Sequence, residues 1–467
     1  MGRSVQTNET AASSNGKARS HFGSRIGFIL SAAGASVGLG NIWRFPYLAA
    51  EYGGGIFLLV YFILAATFGY TMVMSETALG RMTRKSPVGA YRTFGDGRFF
   101  RFGGWVNAIV PMIIVPYYSV IGGWVVRYFL AFASGQGKAS AADSFFGSFT
   151  ADPLQEMVCF LIFAFLTLLI IYFGVQNGIE RVSKVMMPLL VILAVLISIY
   201  SMTRPGALAG VRYFLVPDFS KFSILTVVSA MEQMFYSLSI AMGILYTFGS
   251  YMLKETNLES ASVQVEIFDT LVAILAGLMI IPAVFAFSGG TPESLSAGPS
   301  LLFLTMPKVF EGMAGGGVTG TLFFLLVFVA ALTSSIALAE SAVSTVEDEL
   351  LWGRKASIVL VGAVMLLLGS LSLFGFNILS GVKLLGMDFL DFFDFISNSV
   401  MMPVGAMCTC ILVLRAVGLP GIEREVESSS PFCGKKIYAF VLRYLSIVFL
   451  GVILVTSILS VLGIVKI

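Results

Sequence analysis

Apolar stretches of about 20 residues recur along nearly the whole chain, and each is long enough to cross the hydrocarbon core of a bilayer. Eleven spans can be drawn, over about 25–50, 54–79, 99–132, 155–174, 180–202, 225–251, 262–288, 319–345, 356–375, 388–415 and 437–464. No connection between them is long enough for a soluble domain. The 467 residues are 57% hydrophobic and 12% charged, whereas a soluble globular chain carries roughly 25% charged residues. A soluble multi-domain enzyme is excluded, and the chain reads as an all-α polytopic membrane protein.

Charge and cysteine usage narrow the partners. The net charge of +3 is scattered over short loops, so no basic face for nucleic acid forms. Cys159, Cys408, Cys410 and Cys433 lack metal-type spacing, and the one histidine is His21 in the polar N-terminal segment. A zinc or haem site is therefore not expected. Residues 1–24 lack the apolar core of a signal peptide and read as a cytoplasmic tail. The Gly- and Pro-bearing segment 289–318 reads as a short outer hairpin.

Orientation follows from Lys and Arg. Placing the N-terminus and every second loop on one side collects nineteen basic residues, six of them in the 81–101 loop alone; the other side collects seven. The positive-inside rule then puts the N-terminus in the cytoplasm and, with an odd span count, the C-terminus outside.

Two spans carry interruptions that a plain anchor would avoid. The first reads Gly34-Ala-Ser-Val-Gly38-Leu-Gly40-Asn41-Ile-Trp-Arg44-Phe-Pro46, and the sixth reads Tyr236-Ser237-Leu-Ser239-Ile-Ala241-Met242-Gly243. Small residues allow close helix packing, which accounts for Gly34 and Gly38 but not for the Asn, Arg and Pro that follow. Backbone leaves helical geometry in a bilayer only where protein or a cavity satisfies its polar groups. Breaks five spans apart divide ten spans as five plus five, with the second set inverted, and weak spans at matching positions point to a binding site. The organisation expected is a first repeat over 25–202, a second over 225–415, and an eleventh helix with the C-terminus over 437–467.

Polar residues at membrane depth mark the same places, because each is costly without a partner. Asn41, Glu76, Gln233, Asp269, Thr333, Ser334, Ser335, Glu340, Asp391 and Asp394 lie there. Adjacent hydroxyls at 333–335 suit a hard monovalent cation such as Na⁺, although Ser and Thr also bond back to their own helix. Asp269, in an otherwise apolar run, needs a cation or a proton.

These residues fall in motifs that resemble the neurotransmitter:sodium symporter family. The resemblance rests on GASVGLGNIWRFPYLAAEYGGGIFLLVYF (34–62), ETALGR (76–81), PYYSVIGGW (116–124) and EQMFYSLSIAMG (232–243). GPSLLFLTMPKVF (298–310), LTSSIAL (332–338) and VEDEL (346–350) follow in the family's order, and the match covers about 19 to 464. The length is similar to the bacterial branch that carries hydrophobic amino acids.

The resemblance implies two sodium sites and one substrate site at mid-membrane. Sodium site 1 would use the Ser36 carbonyl, Asn41, Ser237, Asp269 and the substrate carboxylate. Site 2 would use carbonyls of Gly34, Val37 and Ala330 with the hydroxyls of Thr333 and Ser334. The substrate carboxylate would also meet Tyr118 and backbone N–H groups near Leu39 and Gly40, and its ammonium the carbonyls around Ser36, Tyr236 and Ser239. Ala35, Ile114, Tyr118, Tyr236, Met242, Ser335 and Leu338 would line the side-chain pocket. Monoamine carriers of the family have Asp where this chain has Gly38, so an α-amino acid with its own carboxylate is favoured. Relatives that need chloride hold it near positions matching Tyr61, Gln233 and Ser237. The fixed charge of Asp269 would substitute for it, and proton loading of Asp269 on the return step is a possible counter-transport.

The implied gates are Arg44 with Asp388 outside, under a lid of Tyr118 and Tyr236, and Arg19 with Asp348 inside, aided by Tyr251. Phe22 stands where the family usually has Trp, which weakens the expected inner latch. Gly178 and Pro188 bracket a stretch of span 5 that related transporters unwind. Glu340 and Ala241 also depart from the bacterial leucine transporter's pattern; Glu340 either pairs with another polar group or carries a proton.

The function expected is sodium-coupled import of neutral amino acids by alternating access, without chloride. An amino acid sensor keeping the fold without turnover is the alternative. A membrane-embedded enzyme has no Ser–His pair or metal cluster to use. The partners expected are a neutral amino acid, sodium ions and membrane lipid, with no nucleic acid.

Overall fold

The computed structural model describes residues 19–288 and 300–461. Most of the expected cytoplasmic tail, part of the 289–318 hairpin and the extreme C-terminus lie outside these residues. Among them, nine helices are long and apolar enough to cross a bilayer: Gly55–Thr83, Arg98–Ala133, Pro153–Tyr172, Val175–Met202, Leu258–Ser288, Gly316–Leu350, Arg354–Phe374, Phe389–Val417 and Lys435–Ser460. A tenth crossing is a bent pair, Arg25–Ser36 and Gly40–Glu51, at 55° to each other. The expected sixth span is two short helices, Ile224–Ser237 and Ile244–Tyr251, joined by non-helical backbone. We keep the sequence-based numbering, so these are spans 1 to 11 in chain order.

Local chemistry sets where the helices start. Ser24 accepts a hydrogen bond from Gly27 N–H at 3.0 Å to cap span 1. Asp152 accepts from Leu154 and Gln155 N–H ahead of Pro153 at the start of span 4, and Ser223 and Thr226 form a reciprocal capping box for span 6. The described part of the 289–318 segment is helical over Leu301–Glu311. Gly178 and Pro188 do not interrupt span 5, which stays wound from Val175 to Met202.

Beside a large buried apolar core, the surface also carries many exposed apolar side chains, while several polar and charged ones are buried. Phe165, Ile192, Leu196 and Leu367 are more than half exposed, whereas Asn41, Glu76, Gln233, Asp269 and Glu340 are fully buried. Spans 1, 3, 6, 7 and 8 meet around the two breaks. Span 6 opens where Ser239, Ala241 and Gly243 take positive φ values of 55°, 61° and 68°. Such turns cost about 1–2 kcal/mol for each residue with a Cβ. The freed Ala241 N–H donates to Glu76 Oε1 at 3.0 Å, so a carboxylate from span 2 satisfies the unwound chain.

Candidate functional site

The break in span 1 releases carbonyls that no helix consumes. The Ser334 hydroxyl lies 3.2 Å from Gly34 O, 3.1 Å from Ala35 O and 3.3 Å from Val37 O. One hydroxyl proton serves one carbonyl at a time, and Ala35 O also accepts from Ser239 Oγ, so the Gly34 and Val37 carbonyl dipoles are left under-compensated, an arrangement suited to a small cation. Thr333 lies against Gly34, while its hydroxyl bonds back to Val329 O and Ala330 O on its own helix at 3.1 and 3.0 Å. Four of the residues expected at sodium site 2, Gly34, Val37, Thr333 and Ser334, are thus gathered at one point, with Ala330 one turn along span 8.

A second polar cluster lies beyond the break. The Asn41 amide donates to Ser237 Oγ at 2.9 Å and Asp269 Oδ1 at 2.8 Å, and Ser237 Oγ donates to the same carboxylate oxygen at 2.8 Å. Tyr61 OH donates to Asp269 Oδ2 at 3.0 Å. All four residues are buried, so both carboxylate oxygens are satisfied without water. Gln233 instead reaches back to Gly40 O at 3.1 Å.

Between the clusters lies a small cavity of about 30 Å³. It is lined by Ala35, Ser36, Leu39, Gly40, Ile114, Tyr118, Tyr236, Ser237, Ser239, Met242 and Leu338, all expected at the substrate site, and by Gly38, Asn41, Ile244 and Ser334. Tyr118 OH accepts from Leu39 N–H at 3.2 Å, and Ser239 Oγ donates to Ala35 O at 3.2 Å. Ser335 is a correction: it faces span 4, sharing a hydrogen bond of 3.0 Å with Thr167, and does not line the cavity. A helix turns 100° per residue, so three consecutive hydroxyls cannot all face one site. A side chain at Gly38 would have to displace the Ser334 hydroxyl, because a Cβ there would sit 2.8 Å from Ser334 Oγ and 3.1 Å from Tyr118 OH.

Above Tyr118 and Tyr236 opens a larger cavity of about 270 Å³, lined among others by Arg44, Glu232, Asp391 and Asp394. Here the expected outer gate is corrected. Arg44 lies 3.4 Å from Glu232, not beside Asp388, and over the Tyr236 ring at 5.8 Å. Asp388 caps the helix at Phe389, accepting from Asp391 N–H at 2.9 Å, and does not line this cavity. Asp394, on the same helix, does line it, and its Oδ1 accepts from Tyr117 OH at 3.0 Å and from Asn398 at 2.5 Å.

The side expected to face inward is tied shut. Arg19 meets Asp348 at 2.5 Å, donates to Ser250 and Ser344, and lies over the Tyr251 ring at 5.1 Å. Asp348 also accepts from Ser86 N–H at 2.7 Å. Phe22, in place of the family's Trp, packs edge-on against Phe28, Phe248 and Tyr251, and its backbone N–H donates to Tyr251 O at 3.0 Å. Glu340 is paired: it accepts from Tyr251 OH at 2.9 Å and meets Arg354 at 2.6 Å.

Sequence reasoning missed Glu232 and Glu180. Glu180 at the foot of span 5 accepts from Gly23 N–H at 2.6 Å and Ser24 Oγ at 2.9 Å, fastening the N-terminal segment. Each is an acid near an apolar run, and that cost was the available signal.

Comparison with known proteins bears on the family and the fold. The model described as the sodium:neurotransmitter symporter family matches residues 19–138 and 150–464. An uncharacterized sodium-dependent transporter of Bacillus subtilis, YhdH, is 35% identical over 414 residues, covering 87% of this chain and 90% of its own. A sodium- and chloride-dependent GABA transporter of Drosophila melanogaster is 25% identical over 466 residues, 87% of this chain and 47% of its own. The crystal structure of MhsT in complex with L-phenylalanine superimposes with a TM-score of 0.84 at 34% identity, covering 94% of this chain and all of that one.

Proposed function

The chain belongs to the sodium:neurotransmitter symporter family, sodium-coupled membrane transporters rather than enzymes, and on that premise we propose that it imports neutral, hydrophobic α-amino acids without chloride. The observation that carries this reading is the small cavity at the span 1 and span 6 breaks, with an oxygen cluster on each side. The carboxylate of an amino acid would lie against the Leu39 and Gly40 N–H groups and Tyr118, where the second half of span 1 begins. Its ammonium would face the carbonyls around Ser36, Tyr236 and Ser239. Gly38 leaves the substrate to bring its own carboxylate to sodium site 1. L-phenylalanine in MhsT supports an apolar side chain, and flexible Met242 beside Ile114 and Leu338 can repack around one.

Two sodium ions are cargo in this account. Site 1 takes Asn41, Ser237, Asp269 and the Ser36 carbonyl; site 2 takes carbonyls of Gly34, Val37 and Ala330 with Thr333 and Ser334. Chloride independence is supported by the hydroxyls of Tyr61 and Ser237, which donate to Asp269 where chloride would otherwise accept them. Substrate and ion share site 1, so each raises the affinity for the other. The two five-helix repeats rock about this site, with the N-terminus on the cytoplasmic side and the C-terminus outside.

Equilibrium binding of radiolabelled L-phenylalanine and L-leucine to the purified protein, in Na⁺ against K⁺ and both as gluconate salts, tests the substrate class. Saturable binding in Na⁺ alone is expected. Displacement by a monoamine but by no amino acid would overturn the reading.

A further inference from the structure

We propose that Glu232 is a positioning residue for the outer gate: it holds Arg44 aside while the outer passage is open, and closure transfers the guanidinium to Asp394. This rests on the transport reading above. Among the described residues, Arg44 is the single basic one lining the outer cavity, and it faces three carboxylates there, Glu232, Asp391 and Asp394. One guanidinium cannot pair with all of them, so the partner it takes sets its position. In this structure that partner is Glu232, at 3.4 Å, with the Arg44 side chain still 35% exposed.

Glu232 is itself held from behind. Its Oε1 accepts from Thr456 Oγ at 3.1 Å and Ser457 Oγ at 3.4 Å, both on span 11, while Oε2 faces Arg44. Residue 232 stands four residues before Tyr236, one turn along the same helix face. Because Arg44 lies over the Tyr236 ring, moving from Glu232 toward Asp394 on span 10 draws the guanidinium across the roof of the substrate cavity. Span 11, which contributes nothing to the inner cavity, thereby biases the gate through two hydroxyls.

The pair is partly exposed and long, so its removal should shift the open–closed balance by about fivefold rather than abolish it. The test places a cysteine in the outer cavity, Ser399→Cys in a Cys433→Ser background, and follows its labelling from outside by a membrane-impermeant thiol reagent in Na⁺. Glu232→Gln keeps the hydrogen bonds to span 11 but loses the charge. It should slow labelling about fivefold and slow dissociation of bound L-phenylalanine by a similar factor. Thr456→Val with Ser457→Ala keeps the charge and should shift both rates the same way by less. In an Asp394→Asn background the effect of Glu232→Gln should vanish. Unchanged or faster labelling in Glu232→Gln, measured per folded molecule, overturns the proposal, as does an undiminished effect in Asp394→Asn. Labelling needs no amino acid, so if none binds, that defeats the substrate reading while the gate exchange is still decided.

Discussion

At the scale of single residues, charge and hydrogen-bond capacity decide what each buried polar group can do. Asp269 has both oxygens occupied by hydroxyl and amide donors from spans 1, 2 and 6. Asp269→Asn removes a fixed charge that those donors must otherwise balance with a diffusible anion. The variant should lose at least about tenfold of its uptake in gluconate and recover part of it in chloride, whereas wild-type uptake should be the same in both. Equal loss in both salts would remove the argument for chloride replacement. Asp388 and Asp394 separate a cap from a gate. Asp388→Ser keeps a capping oxygen and should alter stability by no more than about 0.5 kcal/mol and leave uptake intact, while Asp394→Asn should slow it severalfold. The sequence offered Asp388, Asp391 and Asp394 at three-residue spacing on one helix face, and periodicity has no means of ranking them. Only the helix start at Phe389 shows that the first is spent on a cap.

Element by element, hydropathy located the nine long apolar helices and the bent pair within a few residues, because a run of about 20 apolar residues has few other uses. The bend of span 1 was legible from Gly, Asn and Pro in succession. The opening of span 6 was legible from Ser and Gly, but its supports were not: Glu76 reaches it from a distant part of the chain, and no spacing rule connects the two. The turn also depends on Gly243, at φ 68°, where a Cβ would come 2.8 Å from Asn107 O and Ser341 Oγ. Gly243→Ala should therefore cost at least about 1–2 kcal/mol and lower the apparent Tm in detergent. An unchanged Tm would mean that span 6 opens elsewhere. Ser334→Ala removes the hydroxyl shared among three released carbonyls, and half-maximal uptake should then need severalfold more Na⁺. An unaltered Na⁺ dependence would place the second ion away from span 8.

Over the whole molecule, the two sides differ in how strongly they are held. Inside, Arg19 joins the N-terminal segment to spans 6 and 8, and Asp348 extends the tie to the loop after span 2. Outside, one long ion pair borders an open cavity. Removing the inner tie with Arg19→Ala should favour the inward-facing form and weaken Na⁺-dependent L-phenylalanine binding severalfold, measured at equilibrium. Unchanged affinity would assign the inner closure to the aromatic packing of Phe22 instead. The central claim is that this fold performs sodium-coupled amino acid import, and uptake of a radiolabelled neutral amino acid mixture into proteoliposomes tests it most directly. With an inward Na⁺ gradient and gluconate replacing chloride, accumulation above the external concentration is predicted, disappearing when K⁺ replaces Na⁺. Na⁺-dependent binding with no accumulation in either anion would contradict it and leave a sensor built on a transporter fold.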